Sequence, residues 1–137
     1  MEARINCMKQ EHDEYLCRVY PKLFAERELD HTQTAMCWGF ECDDGWFNIL
    51  NHLCQNIQHH IDWANKKEET VPQVVVEQVK EKFGTLRFYY RGGDDYIRGL
   101  VAMAESMSGV TCEQCGAPGE ANGGGWIRTR CKEHEHV

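Results

Sequence analysis

The residues best suited to chemistry lie near the C-terminus, where two pairs of potential metal ligands share one spacing. Two residues separate Cys112 from Cys115, and two residues separate Cys131 from His134. Each pair can sit on one tight turn, and two such turns can close a tetrahedron around one ion. Three thiolates and an imidazole are the soft donors that zinc accepts. The spacing predicts one Zn²⁺ ion, and because protein fills all four positions we expect the ion to be structural.

A second set of chemically capable residues consists of histidines and aspartates around two predicted helices. His52 and His59 are two helical turns apart, so they cannot share an ion without a third element. A small hydrolase built on them would need a pocket that joins one of them to Asp94. We expect a solvent-exposed histidine face and ordinary helix capping by the aspartates instead. The chain carries no Gly-x-Ser-x-Gly, phosphate-binding glycine loop or His-Glu-x-x-His motif, so the sequence favours a protein without catalysis.

The chain contains eight cysteines, and most of them lie outside the predicted zinc site. A second metal site is an open alternative, but its members are loosely spaced. The simpler expectation is reduced thiols that pack as small apolar groups. The candidates for a second site are Cys7, Cys17, Cys37 and Cys42.

The charge of the chain disfavours general binding of nucleic acid. The net charge is −7, with a balance of −6 in residues 1–69 and −1 in residues 70–137. Affinity for a phosphate backbone comes from clustered Lys and Arg, whereas an acidic half suits a basic protein partner or serves solubility. A cationic patch on a predicted hairpin keeps nucleic-acid binding as an alternative. That patch comprises Lys80, Lys82, Arg87 and Arg91, with Arg128, Arg130 and Lys132 beside the predicted zinc.

Three helices are predicted from apolar periodicity. Residues 11–29 predict a short helix or two pieces broken at Pro21. A long helix begins near Asp43 or Asp44, either of which can cap it, and its apolar positions recur every three or four residues. A third helix begins at Asp94 and ends at Gly109. The predicted buried stripes are Trp46, Leu50, Leu53, Ile57 and Ile61 on the long helix, and Ile97, Leu100, Val101, Ala104 and Met107 on the third.

Between the second and third helices, β-branched and aromatic residues predict a hairpin. Strands are expected at about 73–82 and 85–91, joined by a turn at Phe83-Gly84. The segment 73–83 is also spaced as a helix, so periodicity alone leaves its type open. Residues 30–45 are expected to form a loop. The predicted fold is α+β: helices on a small antiparallel sheet in a core domain, 1–109, with a zinc-ribbon appendage, 110–137, packed on it.

Three blocks of the chain resemble a family of small uncharacterised proteins encoded by tailed phages and related bacterial genomes. The blocks are GFECDDGWFNIL (39–50), VVVEQVKEKFGTLRFYYRGG (74–93) and AESMSGVTCEQCGAPG…GGWIRTRC (104–131). The family usually reads Cys-Gly-Asp-Gly-Trp where this chain has Cys-Asp-Asp-Gly-Trp at 42–46. The resemblance implies a phage origin and the C-terminal Cys/His cluster, and it supplies no reaction.

Taken together, these features predict a non-enzymatic phage accessory protein that binds a host protein and blocks it, for example as an inhibitor of anti-phage defence. The N-terminal residues form no apolar leader and no segment is apolar enough to span a bilayer, so we expect a cytoplasmic protein. If the chain is phage-encoded, this is the cytoplasm of the host. Exposed aromatic and arginine side chains anchor protein interfaces. The candidate contacts are Trp38, Phe40, Trp126, Arg128 and Arg130.

Overall fold

The computed structural model describes residues 8–137, and the fold is α+β, as predicted. Three helices pack around a three-stranded sheet, and a two-stranded ribbon follows. Short 3₁₀ turns occur at Met36–Trp38, Asp44–Trp46 and Lys132–His134. None of the helices described is long and apolar enough to cross a membrane. The elements are α1 (Gln10–Val19), β1 (Phe40–Glu41), α2 (Phe47–Lys66), β2 (Val75–Lys82), β3 (Thr85–Arg91), α3 (Asp95–Ser108), β4 (Glu120–Asn122) and β5 (Arg128–Arg130).

Helix α2 is the centre of the core, and its predicted apolar stripe is buried from Trp46 to Ile61. The prediction that an aspartate caps this helix is wrong, because a 3₁₀ turn precedes it and no side chain bonds its first amides. Asp44 Oδ1 instead accepts a hydrogen bond from the backbone amide of Lys9 at 3.1 Å. The same oxygen lies 2.8 Å from His12 Nδ1, so Asp44 ties α1 to the start of α2. Helix α1 ends just before Pro21, as predicted.

The segment whose type periodicity left open is a strand. Strands β2 and β3 pair antiparallel with Val79 opposite Phe88 and Lys80 opposite Arg87, around a turn at Phe83-Gly84. Val79 and Phe88 face the core. The β-branched side chains of this segment fit a half-buried pleated surface, and pairing with β3 satisfies its backbone.

Residues 30–45 are not entirely a loop, because Phe40–Glu41 forms strand β1 and pairs in parallel with β2. The sheet is therefore mixed, in the order β1-β2-β3. Two residues are too few to show a strand period in the sequence. Phe40 is fully buried and its ring packs edge-on against Phe24, with centroids 5.0 Å apart.

Helix α3 covers the free edge of β3. Its predicted cap is confirmed, since Asp94 Oδ1 accepts a hydrogen bond from the Ile97 amide at 3.1 Å. Near its other end, Ser108 Oγ accepts the Leu86 amide at 2.8 Å, and the Glu105 carboxylate accepts the Phe88 amide at 2.9 Å. These side chains accept hydrogen bonds from β3 amides that would otherwise be open to pairing with another strand.

The predicted burial of the α3 stripe is wrong at one position. Ile97, Val101 and Ala104 are buried and Leu100 is half-buried, but Met107 is 47% exposed. Met107 instead lines an apolar groove of about 280 Å³ that separates α3 from the first half of α2.

Candidate metal centre and the surface it supports

The fold brings the four predicted metal ligands together. Cys112, Cys115, Cys131 and His134 place their ligand atoms within 4.8 Å of one another, and no other such group occurs in residues 8–137. The sulfurs of Cys115 and Cys131 are 3.7 Å apart, far longer than the roughly 2.05 Å of a disulfide. His134 offers Nδ1, which lies 3.8 Å from the Cys112 sulfur and 3.2 Å from the Cys131 sulfur. The four side chains can therefore hold one metal ion.

Two tight turns create this geometry. In the first, the Gly116 amide donates to the Cys112 carbonyl at 2.8 Å. Gly116 has a φ of 84°, a left-handed conformation that favours glycine, so it lets the chain fold back. In the second, the His134 amide donates to the Cys131 carbonyl at 3.1 Å within a 3₁₀ turn. Each turn delivers two ligands to the same point.

The environment of Cys112 favours its thiolate. Burial opposes ionisation of this sulfur, but the backbone amides of Cys131, Cys115 and Gln114 are directed at it and together lower its pKa to about 6. A thiol must lose its proton to bind a metal. The peptide backbone thus prepares the most deeply buried ligand for an ion.

A buried ion pair joins the cluster to the core. Arg130 Nη1 lies 3.2 Å from Glu113 Oε1, and both side chains are almost fully buried. Glu113 Oε2 also accepts the Asp43 amide at 3.0 Å, and the Asp43 carboxylate lies 3.7 Å from Arg130 Nη2. The prediction that Arg130 is a partner contact is wrong, because its charge is used inside the protein.

The segment before α2 is the docking surface for the cluster. The Gly45 amide donates to the Glu113 carbonyl at 2.7 Å, and the Trp46 indole donates to the Thr111 carbonyl at 2.9 Å. A Cβ at Gly45 would lie 2.2 Å from the Cys112 carbonyl oxygen, so only glycine fits. The sequence predictions did not include Gly45 or Glu113. The available signal was that Glu113 follows Cys112 and Arg130 precedes Cys131, which places two charges beside metal ligands.

The β4–β5 ribbon also packs against the turn of the β2–β3 hairpin. Thr129 is fully buried, and its hydroxyl donates to the Gly84 carbonyl at 2.6 Å. This contact places Ile127 and Trp126 beside Phe83. We call the resulting patch the tip surface. It consists of the exposed side chains Phe83, Trp126 and Ile127 with the neighbouring cations Lys82 and Arg128.

The predicted partner contacts separate into exposed and buried groups. Trp38 and Trp126 are 46% and 61% exposed, so both can meet a partner. Phe40 cannot, because it is a core residue of β1, and its inclusion among the contacts is wrong. Arg128 is half-buried, with its guanidinium 5.6 Å from the Trp126 ring.

The cations predicted for nucleic acid do not form one free patch. Arg91 pairs with Glu26 and lies 3.5 Å from a Glu77 oxygen, so carboxylates offset its charge. Lys80 and Arg87 are neighbours across the hairpin and both are half-buried. Lys82 stands apart beside Phe83.

The histidines and aspartates do not assemble a hydrolytic pocket. His52 and His59 are exposed, as expected. His52 borders the α2–α3 groove, whose other lining side chains are apolar or amides and include neither His59 nor Asp94. Asp94 instead meets His60, with Nε2 and Oδ2 at 2.8 Å. The hydrogen bond from His60, with help from the Ile97 amide, holds the pKa of Asp94 below its usual value.

The alternative of a second cysteine site gains no support within residues 8–137. Cys42 is buried in the core, while Cys17 and Cys37 are half-buried and bond to other groups: their sulfurs donate to Asp13 at 3.5 Å and to the Thr34 carbonyl at 3.3 Å. Cys7 lies outside the described residues.

Comparison with known proteins finds no counterpart. No protein-family model matches the chain, and neither a curated protein nor a solved structure matches it. What the chain does is therefore inferred from its own residues.

Proposed function

We propose that the chain is a non-enzymatic binding protein whose C-terminal ribbon is stabilised by one structural zinc ion. The observation that carries the proposal is the position of the metal cluster. The cluster is bonded to the core at Gly45 and Glu113 and continues directly into the exposed tip surface. The ion would fix aromatic side chains in place without exposing itself to a substrate.

Zinc is the ion that the four ligands fit best. Tetrahedral bonds of about 2.3 Å to sulfur and 2.0–2.1 Å to nitrogen give edges of about 3.8 Å between sulfurs and about 3.6 Å between sulfur and nitrogen. The corresponding distances are 3.7 Å between the sulfurs of Cys115 and Cys131, and 3.8 and 3.2 Å from His134 to two sulfurs. Four protein ligands leave no position for water, which is typical of structural zinc. When bound, the ion supplies a cross-link and no reaction.

Protein binding is the activity that the exposed surface supports. Large aromatic side chains dominate interface energies, and monomers rarely expose several of them side by side. Phe83 and Trp126 are 67% and 61% exposed and line one cleft of about 240 Å³. A host protein is the partner within this proposal, on the expectation that the three sequence blocks described above indicate a phage origin. Occupying a site on that protein, for example one belonging to an anti-phage defence system, would block it without catalysis.

Nucleic-acid binding is a second candidate, and one observation favours it. Lys82 and Arg128 each sit over an exposed ring, at 5.7 and 5.6 Å from its centre. Cations beside aromatic rings occur in proteins that stack single-stranded bases. The net charge of −7 opposes this reading.

Metal analysis combined with affinity capture tests the proposal. Tagged wild-type chain is purified without added chelator, assayed for zinc and used to capture partners from host lysate at moderate salt. We expect one zinc per chain and one partner in stoichiometric amount. Cys115→Ser should lose both the metal and the partner.

Two results would contradict the proposal. Wild-type chain that holds zinc but retains no stoichiometric protein is not a binding protein of this kind. Salt-dependent affinity for DNA or RNA, without a captured protein, would favour the second candidate.

A further inference from the structure

We propose that the tip surface binds a protein segment in which an apolar or aromatic side chain is flanked by carboxylates. This inference rests on the proposed function and names the site and the chemistry of its partner. The apolar side chain would enter the cleft between Phe83 and Trp126, and the carboxylates would meet Lys82 and Arg128.

The backbone at Phe83 is the first argument. Phe83 and Gly84 have φ values of 54° and 84°, the conformation in which two-residue hairpins favour Asn-Gly or Asp-Gly. A bulky side chain in the left-handed region is strained, because its Cβ crowds the following carbonyl oxygen. Phe83 also points its ring at solvent, where packing within the chain offsets little of that strain. Strain of this kind concentrates at functional sites, so the ring is expected to gain its contacts from another molecule.

The placement of the opposite wall is the second argument. Trp126 belongs to the loop before β5, and β5 is tied to the hairpin by the hydrogen bond between Thr129 and Gly84. A Cβ at Gly84 would lie 3.1 Å from Ile127 Cγ2, which shows how closely the ribbon approaches the turn. Both walls of the cleft are therefore positioned by the same contact. A preformed cleft lowers the cost of ordering side chains on binding.

Charge selects the flanking chemistry. The two cations nearest the rings are Lys82 and Arg128. Arg128 Nη1 donates to the Val137 carbonyl at 2.7 Å, so the remaining N–H groups of its guanidinium are the ones that would meet a carboxylate. Glu81 also lines the cleft, but its carboxylate accepts the Gly84 amide at 2.8 Å and so serves the turn. Side chains of the opposite sign across an interface fix register and exclude wrong partners. Carboxylates beside the apolar anchor complement this arrangement.

A protein segment fits better than a nucleic acid. Tight binding of a phosphate backbone needs many cations in a row. Arg91 is held by carboxylates and Arg130 is buried against Glu113, so neither extends the pair at the tip. Two cations suit a short acidic segment.

The test uses the whole zinc-loaded chain and three variants. Phe83→Asn removes the ring while giving the turn its preferred residue, and Trp126→Ala removes the other wall. Trp63→Ala is the matched control, because Trp63 is 54% exposed on α2 and does not line the cleft. A random library of short displayed peptides is selected on wild type, and labelled single-stranded oligothymidine is titrated in parallel.

We expect selected peptides to combine an aromatic or aliphatic residue with Asp or Glu, and to bind Phe83→Asn and Trp126→Ala at least about tenfold more weakly. Trp63→Ala should bind like wild type. Phe83→Asn should keep one zinc per chain and melt no lower than wild type, which separates loss of binding from loss of fold.

The inference is overturned if the selection enriches no peptide or enriches basic ones, if selected peptides bind the tip variants as well as wild type, or if oligothymidine binds and peptides do not. Capture of a partner from lysate distinguishes failure of the proposed site, the tip surface, from failure of the proposed protein-binding function. A partner retained equally by wild type and both tip variants refutes the site but leaves the binding function standing. A wild-type chain that captures nothing refutes the function itself.

Discussion

Glu113 and Arg130 form a buried ion pair whose two members are each the sequence neighbour of a candidate metal ligand. Glu113 follows Cys112, Arg130 precedes Cys131, and their side-chain atoms are 3.2 Å apart. The pair lies between the cluster and Asp43 of the core. We therefore expect metal binding at the cluster and the stability of the core to be coupled through these two side chains.

The ion pair should show strong non-additivity. Arg130→Met leaves a buried carboxylate without its partner and is expected to lower the free energy of unfolding by about 3–5 kcal/mol. Adding Glu113→Leu should recover much of that loss, because a buried pair replaced by apolar groups is often neutral. Urea unfolding of zinc-loaded proteins measures this, and a double variant as unstable as the sum of both singles would contradict it.

Gly45 should be irreplaceable, in contrast to another glycine of the same chain. Gly45→Ala puts a methyl group 2.2 Å from the Cys112 carbonyl oxygen, and that oxygen is backbone. We expect lower zinc affinity and a lower melting temperature. Gly99→Ala is the control, since its Cβ would meet nothing within 4 Å in helix α3, and alanine there should stabilise by roughly 0.5–1 kcal/mol. Equal effects of the two substitutions on melting would argue against this docking geometry.

The cap of α3 should contribute a pH dependence. The pKa of Asp94 is depressed in the folded chain, so its stabilisation is present above the unfolded pKa of about 3.9 and is lost as pH falls through the lower folded value. Asp94→Asn keeps a capping oxygen but cannot titrate, and Asp94→Ala should cost about 1 kcal/mol. The stability difference between wild type and Asp94→Asn should shrink as the pH is lowered below about 4. Urea unfolding across that range measures it, and a constant difference would show that Asp94 is not linked to folding.

Thiol reactivity should separate the metal ligands from the core cysteines. Burial raises the pKa of Cys54 and, together with the Asp13 carboxylate, raises that of Cys17 to about 12. Both should resist alkylation at pH 8 while the chain is folded. Removing the metal with a chelator should make Cys115 and Cys112 the first of these four to react, which peptide mass spectrometry can follow. Alkylation of Cys54 before Cys115 would show that the core opens more readily than the ribbon.

The parts of the fold that follow from local chemistry could be predicted from the sequence. The paired spacing of Cys112 and Cys115 located the metal cluster, and Asp94 located the start of α3, because turns and caps are local. The type of β2 was left open between strand and helix by its periodicity. It is a strand because it pairs with β3, which was itself predicted from the sequence.

What the sequence could not supply depends on distant neighbours. Phe40 looked like a loop aromatic because a two-residue strand has no period, and it is buried only because β2 passes beside it. Arg130 was predicted to be a surface cation because nothing in its own segment reveals its ion-pair partners. Those partners, Glu113 and Asp43, are distant in sequence. Phe83 was assigned to the turn, but its exposure beside Trp126 appears only when the ribbon reaches the hairpin.

The way the sheet ends has a consequence for self-association. Side chains of Ser108 and Glu105 accept outward amides of β3. At the opposite edge, the Phe40 carbonyl of β1 accepts the Met8 amide at 3.2 Å, and beyond the end of β1 the Leu23 carbonyl accepts the Val76 amide of β2 at 2.8 Å. An exposed strand edge is a template on which another chain can polymerise. Because the chain's own groups engage part of both outer strands, the sheet is a weaker template for a second chain, and we expect the exposed aromatic rings at the tip to be compatible with a protein that does not polymerise along its strands.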